Sequence, residues 1–285
     1  MKNKYLAIVI VVLAVVFTDS ENTSGQPYFD VGGITTWYMP ENNSLIPHSE
    51  KYSIIFLSVP IDINKRSKFI VSPFFEHRII KSKSISKSYS FNSISIPVTF
   101  LHYFGDSTWS FTVTALPRTN GNAAEINGTA LQYGGVFINT YKFNEHFKVK
   151  FGLYYNREYF GDFFIPLAGV DWKINKRINL FGVLPGSMKL EYQFGKHIYS
   201  GMVFKSITNT YRFSETSGYF KLQDNHIGIF TDFYIPKNFV VVTEFGYTAF
   251  RNAKSRSAVL LGDLKGDGFL FKLGLAYRIR FDESD

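Results

Sequence analysis

The chain contains no cysteine. That excludes a disulfide framework, a thiolate zinc site and a lipid anchor on an N-terminal Cys. It does not exclude an oxidising compartment, because a large closed sheet needs no covalent staple. Long apolar runs are missing too. The longest, from Tyr5 to Phe17, is shorter than the ~20 residues a membrane-crossing helix requires. Beyond it no segment repeats with a helical period, and no helix cap leads into an apolar stretch. Clustered Lys/Arg runs are also lacking, although the formal charge is +8, so no nucleic-acid partner is expected. What abounds is aromatic: 30 Phe and 18 Tyr in 285 residues. Membrane barrels use that much aromatic surface for a lipid-facing band and its girdles. Mean hydropathy near zero agrees, since such a barrel averages an apolar outside with a polar lumen.

Lys2 and Lys4 precede the early apolar run, and Thr18-Asp19-Ser20 follow it. A basic start, a short apolar middle and small residues at the exit make residues 1–20 a secretory leader. Cleavage is placed after Ser20, with sites as far on as Gly25 open. An uncleaved anchor is the alternative, and the shortness of the run opposes it. Residues 21–27 are then a short N-terminal segment, 28–281 the folded domain and 282–285 an acidic tail. So little chain between leader and first strand leaves no room for a plug or energy-coupling segment, so energised uptake is not expected.

The mature chain alternates with period two, as a sheet with unlike faces must. Phe269, Phe271, Leu273, Leu275, Tyr277, Ile279 and Phe281 share one face, against Leu270, Lys272, Gly274, Ala276, Arg278 and Arg280. Phe147, Val149, Phe151, Leu153 and Tyr155 oppose Lys148, Lys150, Gly152, Tyr154 and Asn156. Comparable alternation marks about 14 strands: 28–38, 52–61, 69–80, 89–103, 109–116, 129–143, 147–156, 165–174, 178–184, 187–194, 198–211, 220–235, 239–250 and 269–281. If the short pair 178–184 and 187–194 does not span, the count is 12.

A soluble sandwich also alternates. Loop length separates the two. Every second connection is short and polar, as in Gly105-Asp106-Ser107, Asn144-Glu145-His146, Asn175-Lys176-Arg177 and Gly195-Lys196-His197. The intervening ones are mostly long: 39–51, 81–88, 117–128, 157–164, 212–219 and 251–268; Pro185-Gly186 alone breaks the rule. Outer-membrane barrels sort short periplasmic turns from long extracellular loops in this way. The expected fold is therefore all-β: a closed antiparallel transmembrane up-and-down β-barrel. Closure follows from the solvent, because an unpaired backbone group has no water to bond in lipid.

The stretch Lys272 to Phe281, through Gly274, Tyr277 and Ile279, resembles the C-terminal assembly signal of outer-membrane barrels. The resemblance implies recognition by the barrel-assembly machinery. The Asp282-Glu283-Ser284-Asp285 tail departs from it, since many such proteins stop at the aromatic residue. Phe181-Gly182-Val183-Leu184-Pro185 followed by Leu190-Glu191-Tyr192 looks like an uncharacterised outer-membrane barrel family found mainly in Bacteroidetes. That family brings no catalytic residues to carry over.

Chemistry is sparse. Barrel lipid hydrolases pair a His with a Ser two residues on, and none of the six His residues has one. His226 with Asp224 and Asp232 is the nearest acid–imidazole group. A strand rise of ~3.3 Å per residue puts Asp232 about 20 Å away, with Asp224 nearer, so the group reads as lumen hydrogen bonding and a loop acid. The Gly262-Asp263 and Gly266-Asp267-Gly268 stretch lacks the ligand spacing of a calcium loop. Inward-facing charges are plentiful: Lys148, Lys150, Lys189, Glu191, Lys205, Asp232, Glu244, Lys272, Arg278 and Arg280. Two readings stay open for them. They tune selectivity in a passive small-solute pore, with an anion preference, or they pair with one another and plug a narrow lumen. A barrel enzyme acting on envelope lipid or peptide, and a closed barrel binding through its outer loops, are the alternatives to a pore. A monomer in outer-membrane lipid is expected, with no cofactor and no metal.

Overall fold

Strands rich in Phe, Tyr, Ile and Val favour a pleated sheet whose outer side chains meet an apolar surround. The computed structural model describes residues 26–40, 47–82, 87–122, 131–213, 218–236, 238–255 and 264–281. The leader at 1–20 and the tail at 282–285 lie outside them. Within the described residues the chain forms one closed ring of 14 antiparallel strands with no helix. They are β1 (Tyr28–Met39), β2 (Ser49–Leu57 with Val59–Asn64), β3 (Ser67–Val71 with Phe74–Ser82) and β4 (Lys87–Ser95 with Val98–Tyr103). Then come β5 (Trp109–Asn122), β6 (Leu131–Asn144), β7 (Phe147–Glu158), β8 (Gly161–Lys173), β9 (Ile178–Leu184) and β10 (Ser187–Gln193). The rest are β11 (Ile198–Arg212), β12 (Tyr219–Ile235), β13 (Phe239–Ser255) and β14 (Gly268–Arg280). Each strand pairs with its sequence neighbours, and β1 closes on β14 from Tyr28↔Arg280 to Tyr38↔Phe271. The short strands β9 and β10 take full places in the ring, so the count is 14 and not 12.

The ring is inside out relative to a soluble domain. Leu273, Phe164 and Ile229 are about 60% exposed, while Glu191 and Asp232 are fully buried. Period two explains both facts. The residue between two outward apolar groups points into the lumen, away from the surrounding medium.

A seam crosses four strands. β1 bulges at Val31, and β2, β3 and β4 each break at Ser58, Ser72-Pro73 and Ile96-Pro97. Pro has no N–H to give to a ladder, so it interrupts the pairing. Local bonds take over: Ser58 N–H to Val31 O (2.7 Å), Leu57 N–H to Pro73 O (3.0 Å) and Ser72 N–H to Pro97 O (2.9 Å).

The start of β1 and the end of β14 lie at the end of the barrel that carries the short turns. Asn64, Asp106, Asn144 and Asn175 each accept the amide two residues on, at 2.8–2.9 Å. The side chain thereby stands in for a backbone turn. The Thr108 amide holds the Asp106 carboxyl below the ordinary carboxylate range.

The opposite end departs from expectation. The described parts of the connections 117–128, 157–164 and 251–268 are largely strand: β5 runs to Asn122, β7 and β8 leave only Tyr159-Phe160 between them, and β13 runs to Ser255 and pairs with Leu264-Lys265. Apolar alternation stops where the outward band stops, but the hydrogen-bond ladder continues past it.

Gly182 in β9 has φ +138°, and a Cβ there would sit 2.2 Å from Ser187 O. Gly182→Val combines a steric overlap with backbone strain of ~1–3 kcal/mol. It is expected to abolish the heat-modifiable, fast-migrating folded band on a cold SDS gel.

Candidate functional site

Alternation along β1 and β10–β14 brings eight of the sequence-predicted charges into one half of the lumen, with their partners on facing strands. Nearest the chain ends, the Arg278 guanidinium donates to Asp30 at 2.5 Å and to Asp232, and lies 3.7 Å over the Tyr28 ring. Arg280 donates to Glu191 at 2.7 Å and to the Tyr234 hydroxyl at 3.0 Å. One layer further in, Lys205 and Lys272 share a single carboxylate oxygen of Glu244 at 3.5 and 3.9 Å, and both stand over the Trp37 ring. Lys189 donates to the Tyr28 hydroxyl at 2.6 Å. Lys148 and Lys150 are not part of this group. They lie on β7, where Lys150 pairs with Asp171 at 2.6 Å and Lys148 stands in register with that same Asp171.

Between these layers is a cavity of about 340 Å³. Lys189, Lys205, Lys272 and Arg278 line it together with Trp37 and an apolar arc that includes Phe56 and Phe181. It reaches Gln26 and Asp30 at the end that carries the short turns.

At the loop end the walls touch. Arg212 of β11 pairs with Gly121 of β5 across the lumen. On one side of this bridge Glu158 is fully surrounded. It accepts from Arg118 (3.2 Å), Gln132 (2.8 Å) and Asn156 (2.5 Å), and from the Thr210 hydroxyl. On the other side Ile80, Phe91, Tyr211, Phe213, Phe220, Leu222 and Ala253 form a buried cluster. Below it Glu50 binds Arg78 and Arg251, and Arg251 approaches Asp224 at 3.9 Å. Sequence reasoning passed over Glu50, Arg118, Glu158 and Arg251 because they fall in stretches read as loops. The surviving signal was parity: Glu158 continues the inward series Lys148, Lys150, Tyr154, Asn156.

A family model described as a domain of unknown function, DUF6268, matches residues 53–260. The chain belongs to the DUF6268 family. That span holds most of the predicted lumen charges, whereas Lys272, Arg278 and Arg280 lie beyond it, on β14. β1 and β14, which close the DUF6268 ring, flank the matched span. No curated protein matches this DUF6268 chain in sequence. Among solved structures it is similar to the COG4313 outer membrane channel from Pseudomonas putida F1, with TM-score 0.49, 7% identity, 92% of this chain and 100% of that chain covered. It is also similar to the translocator domain of autotransporter NalP from Neisseria meningitidis (TM-score 0.40, 8% identity, 98% and 96% covered). The TodX monoaromatic hydrocarbon channel, as a deltaS2 mutant, gives TM-score 0.43 and 12% identity over 89% and 90%. At such identities no residue or activity transfers to the DUF6268 chain.

Two histidine contacts in this DUF6268 barrel bear on nucleophilic chemistry. His226 Nε2 lies 3.0 Å from Asp224 Oδ2. Asp224 lies in β12, within the strand expected over 220–235, and is buried. The second was invisible in sequence: Ser67 Oγ meets His102 Nδ1 at 2.9 Å across the β3–β4 ladder. The imidazole is ringed by Phe100, Phe104 and Phe111, and no carboxylate among the described residues pairs with it. A nucleophile needs a base that is itself oriented by a third group, so the pair reads as a satisfied hydroxyl in an aromatic girdle.

Proposed function

We propose that this chain is an integral outer-membrane channel for small solutes that rests closed. The observation carrying the reading is the inverted surface on a closed ring: an apolar exterior around a lumen of buried charge, which suits hydrocarbon outside and ions inside. The turn end then faces the periplasm, after export by the leader at 1–20. The strand Lys272–Phe281 serves the assembly machinery, and the barrel works as a monomer in the envelope of a cell of the Bacteroidetes type. The filled loop end supports a resting closed state over a permanently open pore. The excess of inward Lys and Arg supports anions as the preferred solute. Protein refolded into planar bilayers is expected to show small, infrequent steps with a reversal potential shifted towards anions in a KCl gradient. Absence of steps from the native barrel and from a barrel with its loop-end cluster truncated sinks the channel reading.

The membrane part has its own test. Ile229 is 60% exposed in the middle of the β12 apolar stretch. Ile229→Arg is expected to lower stability by about 2–4 kcal/mol in urea titrations from phospholipid vesicles, the depth-dependent range for a cation on a barrel's lipid face. A change under ~0.5 kcal/mol, the size typical of a water-facing surface site, removes lipid from that face.

A further inference from the structure

Three ammonium groups in the cavity face one carboxylate. Lys205 and Lys272 both lean on Glu244 Oε2, at 3.5 and 3.9 Å. Lys189 makes no ion pair among the described residues. Its ammonium bonds the Tyr28 hydroxyl and lies over the Phe230 ring at 4.6 Å. Arg278 is bound by both Asp30 and Asp232, so these four cations and three acids leave a surplus of one positive charge, the complement of a monoanion. Excess like charge held away from bulk water is unfavourable, and an anion among the three lysines relieves it. Each ammonium brings three donors for carboxylate oxygens.

The rest of the wall decides what kind of anion. Trp37, Phe56, Phe181 and Val242 give the cavity an apolar arc beside the cations. An inorganic ion leaves that arc against water. A ring or a compact aliphatic body covers it, and at about 340 Å³ the space lies at the small end of ligand pockets. The lining reaches Gln26 at the turn end, whereas the aromatic cluster and the Glu158 knot fill the loop end.

We propose that Lys189, Lys205 and Lys272 form a binding site for a small organic monoanion, its carboxylate among the ammonium groups and its aromatic or compact aliphatic body against Trp37 and Phe181. This deepens the channel reading and rests on it for how the ligand reaches the membrane. Binding itself is independent of conductance.

Trp37 supplies the readout. The other two tryptophans, Trp109 and Trp172, are exposed on the outer wall. A Trp109→Phe/Trp172→Phe barrel in detergent leaves Trp37 as the sole emitter, and 4-nitrobenzoate is the probe. Saturable quenching is expected, with affinity at least tenfold weaker in Lys189→Met and in Lys272→Met, and at least tenfold weaker for neutral nitrobenzene. Lys205→Met serves if either variant lacks the heat-modifiable folded band. Quenching that does not saturate, that is equal for nitrobenzene, or that ignores the lysine substitutions overturns the site. Displacement of the probe by equimolar inorganic phosphate overturns the organic class. Binding without any channel activity leaves this inference standing and removes the channel; conductance without binding does the reverse.

Discussion

Phe91→Ala with Phe220→Ala is expected to raise unit conductance and open time several-fold in planar bilayers. The two rings are stacked, with centroids 5.3 Å apart and planes 3° from parallel. They come from β4 and β12, which are not neighbours in the ring, so their contact spans the lumen. Tyr211 from β11 adds a third ring 4.9 Å from Phe91. In a soluble domain, removing two fully buried Phe side chains costs about 3–5 kcal/mol each and endangers the fold. A barrel is held differently. Its ladder is closed, and in hydrocarbon any opened strand pair leaves unsatisfied backbone groups. The cluster therefore blocks passage more than it secures the ring, and its truncation is expected to leave heat-modifiable migration intact. Phe245→Ala with Phe271→Ala, a tilted pair on the outer wall, is the control and leaves conductance unchanged. If the lumen double variant conducts no better than the native barrel, the ions are stopped elsewhere.

Strand number and face were legible because lipid and lumen impose opposite chemistry on successive residues. From Phe269 to Tyr277 every second side chain is apolar, and the structure turns those residues outward. The same cue failed above the apolar band. Arg118, Asn120, Glu158 and Arg251 sit in continuous strand, but with polar residues on both faces the period has nothing to register. Strand ends were therefore drawn too early and the connections too long. Contacts across the lumen were beyond reach for another reason. The bridge Arg212↔Gly121 and the pair Ser67–His102 depend on how strands stagger around the ring, and no local spacing reports stagger. The tight pair β9–β10 was readable, because Pro185-Gly186 marks a turn whatever lies beyond it.

Glu50→Gln is expected to lower stability by about 3–5 kcal/mol, the usual consequence of stripping one partner from a buried ion pair. The Glu50 side chain is wholly buried between Arg78 of β3 and Arg251 of β13. Arg78 lies 4.3 Å over the Tyr52 ring and donates to the Tyr211 hydroxyl at 3.2 Å. Among the described residues Arg251 keeps Asp224, at 3.9 Å, as a second ion-pair acid, with Asp267 held at its backbone amide. Neutralising Glu50 thus leaves two guanidinium groups facing each other with too little negative charge. Glu50→Gln/Arg251→Met removes the surplus cation as well and is expected to recover more than half of the loss. Urea unfolding from phospholipid vesicles, followed by tryptophan emission, measures both. The outcome also reports on water. Charges in a wet passage are screened, and such pairs contribute about 0–1 kcal/mol. A loss below 1 kcal/mol for Glu50→Gln therefore means that water reaches the ion pairs under the aromatic cluster, and the loop end is then not the dry barrier that closure requires.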